Sequence, residues 1–166
     1  INHYIFGFLT GDTIQGFPVR QFTASDARLL GFEAAATVSP VRYIALRAST
    51  DYVNAQNTQL DEPLPFIPPW RGLFRATYQD AMYMGMVEWR GAASQTRLGP
   101  GDTPTSGYGI YNLGVGLRLP WGGVVHNISL HLDNVLNRKY YDAVSVLKTW
   151  VPQPGRGLQL NYELLY

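Results

Sequence analysis

Residues 111–119 read Tyr-Asn-Leu-Gly-Val-Gly-Leu-Arg-Leu, a run in which apolar side chains occupy every second position. Asparagine, glycine and arginine fill the positions between them. In an extended strand, successive side chains point to opposite faces, so this run places an apolar face opposite a polar and small-residue face. The pattern therefore predicts a β-strand that is apolar on one side only.

The same alternation recurs along the chain, while no stretch of ten or more residues carries a convincing helical stripe. The further alternating segments are residues 4–10, 17–38, 41–52, 74–79, 83–90, 128–133 and 158–166. Turn-forming residues bound most of these segments, as is typical of strands. The sequence therefore predicts an all-β chain of about eight strands.

The connections between these strands alternate in length. We predict short turns at Ser39-Pro40, Asp80-Ala81 and residues 120–123, and long polar loops at residues 54–69, 97–105 and 137–154. An antiparallel up-and-down sheet with all of its short turns at one end produces this alternation. A soluble sandwich with Greek-key connections has no reason to sort its loops in this way.

Composition restricts the environment of the sheet. Only 15% of the residues are charged, 13% are aromatic, the net charge is +1 and there is no cysteine. These values exclude a disulfide framework and thiolate metal sites, and they do not suggest a nucleic-acid partner. No apolar run reaches the ~18 residues of a transmembrane helix, but several strands reach the ~9–11 residues that cross a bilayer at a tilt. We predict a transmembrane β-barrel segment, with a soluble β-sandwich as the alternative, because alternation alone does not separate a lipid face from a core face.

Several motifs resemble those of one membrane family. Residues 132–141, LDNVLNRKYY, are followed by Pro154-Gly155-Arg156 and a closing strand that ends on an aromatic residue. This order resembles the C-terminus of TonB-dependent outer-membrane receptors. Residues 27–33, 63–71 and 105–113 resemble earlier strand entries of the same family. The resemblance extends over about residues 17–166.

The resemblance implies that residues 1–166 form the C-terminal portion of a receptor β-barrel in the outer membrane of a Gram-negative bacterium, with the plug domain and earlier strands absent. Such receptors import a scarce nutrient, for example a ferric siderophore, haem, cobalamin or a metal complex. The implied partners are the lipid bilayer and lipopolysaccharide, the barrel-assembly machinery, the TonB complex acting through the plug, and a metal chelate or similar small ligand. It implies no enzyme activity and no resident cofactor. The alternative is a free-standing eight-stranded barrel with a structural or adhesion role.

Acidic, aromatic and basic residues in the predicted extracellular loops are the candidates for ligand contact, although solvated loop acids are the commoner case. They are Asp61, Glu62, Asp102, Tyr108, Tyr140, Tyr141 and Lys148. Residues 140–148 resemble a Tyr-x-x-His-x-Ser-x-x-Lys loop of some receptors. Ala143 occupies the histidine position, which argues against a metal role for this loop.

No catalytic or metal site is predicted. His126 and His131 lie five residues apart on one strand and face opposite sides. The serines have no histidine and acid at suitable spacing. Met82, Met84 and Met86 repeat with period two. Strand packing after a turn is the simpler interpretation of these methionines, and a track along which a ligand slides is the alternative.

The closing strand also resembles the signal that the barrel-assembly machinery reads. Its residues are Leu158, Leu160, Tyr162, Leu164 and Tyr166. We predict that deleting Tyr166, or replacing it by aspartate, lowers barrel assembly more than ligand affinity. Membrane levels of the assembled receptor, compared with its ligand affinity, measure this. Normal membrane levels of Tyr166→Asp would contradict the prediction.

Overall fold

The structure is a computed structural model that describes all 166 residues. It contains ten β-strands: β1 (Tyr4–Ile14), β2 (Phe17–Ser25), β3 (Ala27–Val41), β4 (Ile44–Asn57), β5 (Glu62–Pro63), β6 (Arg71–Gln79), β7 (Tyr83–Ala92), β8 (Tyr108–Trp121), β9 (Val124–Asp133) and β10 (Gly157–Leu165). The chain has no helix with the length and apolarity needed to cross a membrane.

Seven strands form one antiparallel path in the order β3-β4-β6-β7-β8-β9-β10. The two-residue β5 pairs with the end of β4 and brings this sheet to eight strands. β1 and β2 form a separate hairpin. The predicted all-β, up-and-down sheet of about eight strands is therefore confirmed. The sheet is open, with β3 and β10 at its edges, so it does not support a closed eight-stranded barrel.

Short and long connections alternate as predicted. The short turns at residues 42–43, 80–82 and 122–123 share one end of the sheet, and the loops at residues 58–70, 93–107 and 134–156 share the other. The turn predicted at Ser39-Pro40 is wrong. β3 continues to Val41, and its register with β4 shifts between Val38 and Val41. Pro40 lacks the N–H that a regular ladder needs, so it lies in this irregularity and does not reverse the chain.

The hairpin of β1 and β2 differs from the predicted barrel strands at residues 4–10 and 17–38. Asp26 divides the longer segment: its Oδ1 accepts a hydrogen bond from His3 N at 3.1 Å, and its carbonyl accepts one from Thr58 N at 2.9 Å. Beyond this point β3 joins the large sheet, with Ala27 opposite Asn57 at the loop end. The hairpin therefore belongs to the loop end of the molecule.

Apolar side chains cover one face of the large sheet, and no second sheet packs over them. Large exposed residues on this face, called the lipid face below, include Leu30, Phe32, Phe74, Val87, Val115, Leu158 and Leu160. Only 19 of 166 residues are buried, and the one apolar cluster contains just Ala27, Ala55 and Leu64. A soluble sandwich would bury such a face, whereas a transmembrane barrel presents it to lipid.

Asp80 organises the turn between β6 and β7. Its Oδ1 accepts hydrogen bonds from Met82 N at 2.8 Å and Tyr83 N at 2.7 Å. Its Oδ2 accepts one from the Tyr78 hydroxyl at 2.6 Å. The Tyr78 hydroxyl and, to a smaller extent, the two backbone N–H groups hold the pKa of the Asp80 carboxyl below its ordinary value.

We expect Asp80→Ala to lower the temperature at which the folded protein converts to the unfolded band on heated gels, because two turn N–H groups lose their acceptor. Asp80→Asn is the matched control, since its side-chain oxygen still accepts both bonds. The carboxylate's contribution is complete above the unfolded-state pKa and is lost as pH falls through the lower folded-state pKa. The asparagine variant should lack this acid dependence, and equal melting of all three proteins would contradict the assignment.

Candidate functional site

The face opposite the lipid face carries the polar residues and is called the lumenal face. Antiparallel register places its side chains in rows across the strands. At the loop end Asp51 on β4 lies opposite Arg71 on β6, and both Asp51 oxygens accept from Arg71 Nε at 2.8 Å. Nearer the short turns, Arg75 lies opposite Glu88 and Glu88 lies opposite Asn112.

A cleft of about 680 Å³ opens on the lumenal face near the loops. Its charged and aromatic lining residues are Glu33, Arg47, Asp51, Arg71, Arg90, Tyr108, Tyr140 and Asp142. We call this the arginine cleft. Arg71 is neutralised by Asp51, whereas Arg47 and Arg90 take part in none of the chain's three ion pairs. Guanidinium groups without a protein partner are well suited to carboxylate or phosphate groups of a ligand.

Glu88 connects the lumenal face to the last long loop. Its carboxylate accepts from Arg75 Nε at 2.7 Å and from Asn112 Nδ2 at 2.9 Å. Asn112 Oδ1 in turn accepts from Asn134 N at 2.9 Å. Glu88 is 6% exposed, and its charge is satisfied by these partners as a buried carboxylate requires. Sequence reasoning missed this chain of contacts, although counting outward from the Asp80 turn pairs Arg75 with Glu88.

Asn134 shapes the loop at residues 134–156. It has a φ of 46° and is 2% exposed. Its Oδ1 accepts from Arg138 N at 2.9 Å, and its Nδ2 donates to the carbonyls of Arg138 at 2.8 Å and Pro154 at 3.3 Å. The side chain thus joins both ends of the loop. Asn137, with a φ of 51°, adds a bond from Arg156 N at 2.9 Å.

A buried ion pair between Asp102 and Lys148 joins two long loops. The two side chains are 1% and 4% exposed. Asp102 Oδ2 also accepts from Phe66 N at 3.1 Å, which brings in a third loop. Lys148 Nζ donates to the Ala143 carbonyl at 2.8 Å and lies 5.5 Å from the centre of the Phe66 ring. The pair therefore fastens three loops together.

The structure divides the seven predicted ligand-contacting residues among several places. Tyr108 and Tyr140 lie in the arginine cleft with ring centres 4.3 Å apart. Tyr141 lies beside Lys139, whose Nζ is 5.8 Å from its ring centre. Asp61 accepts from Gln56 Nε2 at 2.9 Å, and Glu62 belongs to β5. Of the seven, Tyr108, Tyr140, Tyr141 and Lys148 line a second cleft of about 400 Å³ between the loops. Lys148 also forms the buried pair with Asp102, whereas Asp61 and Glu62 lie apart from both clefts.

The predicted assembly residues occupy the edge strand. Leu158, Leu160, Tyr162 and Leu164 alternate along β10 on the lipid face, and Tyr166 follows the end of the strand. The described residues contain no group of three or more His, Cys, Asp or Glu side chains that could hold a metal ion.

We expect Asn134→Ala to increase protease cleavage within residues 134–156, because partly buried backbone groups of Arg138 and Pro154 lose hydrogen bonds that contribute about 0.5–1.5 kcal/mol each. Asn161→Ala, at an exposed position on β10, is the matched control. Limited proteolysis of the folded protein measures the effect. Unchanged cleavage of Asn134→Ala would show that the loop keeps its shape without this side chain.

Removing one partner of the buried ion pair should be worse than removing both charges. We expect Lys148→Met to destabilise the loops by about 3–5 kcal/mol, because it leaves Asp102 buried without a counter-charge. Adding Asp102→Asn should recover much of this loss. The temperature at which proteases begin to cut the loops measures the effect, with Lys139→Met as an exposed control. A double variant less stable than Lys148→Met would refute this account.

Comparison with known proteins agrees with this architecture. The family model described as "TonB dependent receptor-like, beta-barrel" matches residues 1–137. Among 35 solved chains that match, one titled "Copper transporter OprC" is 26% identical, with a TM-score of 0.82 over 95% of this chain. This chain covers 26% of the length of that chain. A search of curated proteins gave no match. The resemblance inferred from the motifs is confirmed: the chain belongs to the β-barrel family of TonB-dependent receptors.

Proposed function

We propose that the receptor to which this chain belongs imports a metal ion or a metal complex across the outer membrane, energised through TonB. The observation that carries the proposal is the structural likeness to a copper transporter within the same family, at 26% identity. Copper is therefore the first cargo to test.

In this proposal residues 1–166 are the C-terminal portion of the barrel and supply part of its wall and part of its loop set. The plug and the TonB contact belong to other parts of the receptor. The lipid face contacts the bilayer and lipopolysaccharide, and β10 is read by the barrel-assembly machinery. Because this chain covers 26% of OprC, these roles are inferred from the family.

The loops and the arginine cleft would receive the ligand. Tyr108 and Tyr140 are the best-supported contacts among the predicted residues, because they lie in the cleft. Asp61, Glu62 and Tyr141 would contact ligand from the surrounding loops. Asp102 and Lys148 would act by holding the loops in place, since their charges are buried against each other.

An anionic chelate, such as a ferric siderophore or haem, is a second candidate cargo. Arg47 and Arg90 favour it, because both guanidinium groups line the cleft and neither has a carboxylate partner within ion-pair distance. A bare cuprous ion would not benefit from these charges.

Metal uptake tests the proposal directly. Cells of a receptor-deletion strain, with and without the restored receptor, are supplied with copper, a ferric siderophore or haem, and cell-associated metal is counted. We expect one of these metals to accumulate only when the receptor and a working TonB are both present. The proposal would be overturned if, for all three cargoes, metal accumulation were the same with and without the receptor and with and without TonB.

Replacing the two unpaired arginines of the cleft by glutamine distinguishes the two cargoes. Arg47→Gln with Arg90→Gln should reduce uptake of an anionic chelate by about tenfold or more, because each lost charge-assisted bond is worth about 1.5–3 kcal/mol. Copper uptake should be unchanged. Arg42→Gln, in the turn at the opposite end of the sheet, is the matched control. An unchanged chelate uptake would exclude the cleft as its binding site.

A further inference from the structure

Two methionines and a histidine lie over a pair of glycines on the lumenal face. The register places Met86 on β7 opposite Gly114 on β8, and Gly114 opposite His131 on β9. A Cβ atom at Gly114 would lie 3.0 Å from His131 Nδ1 and 3.3 Å from Met86 Cε. The ends of both side chains therefore converge on the space that the missing side chain of Gly114 leaves open.

The neighbouring row repeats this arrangement. Met84 on β7 lies opposite Gly116 on β8, and a Cβ atom at Gly116 would lie 2.9 Å from Met84 Cε. The strand β8 thus presents two glycines in succession on its lumenal face, and both methionine side chains lean over them. Met82, the only other methionine, lies in the short turn before β7, where it lines a cleft together with Met84 and Gly116.

The histidine of this cluster has no protein partner. Among the three histidines of the chain, only His126 has a ring nitrogen in a hydrogen bond. The nearest lumenal carboxylate on β7 is Glu88, which Arg75 and Asn112 already satisfy. Asp133 shares the face of His131 but lies at the exposed end of β9. The groups offered by the cluster are therefore two thioethers and one imidazole.

This donor set selects for a soft metal ion. Thioethers bind Cu(I) and the similar ion Ag(I), whereas Mg²⁺ and Ca²⁺ prefer oxygen ligands. Methionine has three rotatable bonds, so each sulfur can turn towards the histidine ring without movement of the backbone. Leucine side chains could also pack over the two glycines, but leucine has no thioether sulfur with which to bind a metal ion.

We infer that Met86 and His131, completed by Met84, form a binding site for a soft monovalent metal ion on the lumenal wall below the arginine cleft. That the imported metal ion binds this site during transport rests on the proposed function. The binding itself does not, because it depends only on these three side chains and the two glycines.

Silver binding to the whole receptor in detergent tests the site. Crystals soaked in Ag(I) should show an anomalous peak between Met86 and His131. Isothermal titration should show that Met86→Leu and His131→Gln each weaken Ag(I) binding at one site by about tenfold or more. Even residues that only support a metal ligand typically change metal affinity by about tenfold when they are replaced. His126→Gln, on the lipid face of β9, is the matched control and should bind as the unmodified receptor does.

Gly114→Ala provides a second variant that keeps all three ligands. Its methyl group would fill the space over which the side chains meet, so we expect it to weaken Ag(I) binding as well. Silver peaks elsewhere but none in this cluster, or unchanged affinity in Met86→Leu and His131→Gln, would overturn the inference. If silver does not bind at this cluster but copper uptake depends on the receptor, the metal site is refuted and the proposed function stands. If silver binds at this cluster but the receptor takes up no metal, the site stands and only the proposed function is refuted.

Discussion

Backbone hydrogen bonding in a medium without water is the constraint on which the rest of the structure depends. Within a bilayer an unpaired N–H or C=O costs several kcal/mol, so each spanning strand must pair with neighbours along its length. The five inner strands of the seven-strand path achieve this with long antiparallel ladders on both sides, whereas β3 and β10 each pair along one side. The registers of these ladders then decide which side chains meet across the lumenal face.

The rows that result change in chemistry with depth. Asp51 and Arg71 lie nearest the loops, the satisfied carboxylate of Glu88 follows, and Met86 and His131 occupy the next row towards the short turns. From the loop end inward, carboxylate and guanidinium groups therefore come first, and thioether and imidazole groups follow. This change in side-chain chemistry along the lumenal face follows from the strand registers alone.

Much of this architecture could be predicted from the sequence because strand periodicity is local. The alternation in residues 111–119 and the turn at Asp80 both depend on neighbours within a few residues. The reversal predicted at Ser39-Pro40 was wrong because a register shift accommodates the proline. The Asp102–Lys148 pair was inaccessible to such reasoning, since its partners lie 46 residues apart on different loops. Asp102 and Lys148 were predicted to contact ligand, and their mutual burial became visible only in three dimensions.

The two open edges of the sheet have a consequence for the order of assembly. Tight hairpins such as β6–β7 close first, because their connections are short and lose little chain entropy, whereas each doubling of a loop's length costs about 0.6 kcal/mol more. The contacts among the long loops should form later. In the proposed receptor β3 and β10 pair with strands outside residues 1–166, and until they do, each unpaired edge is a template for any other chain. The joining of these edges is therefore the step at which a nascent receptor is most exposed to aggregation.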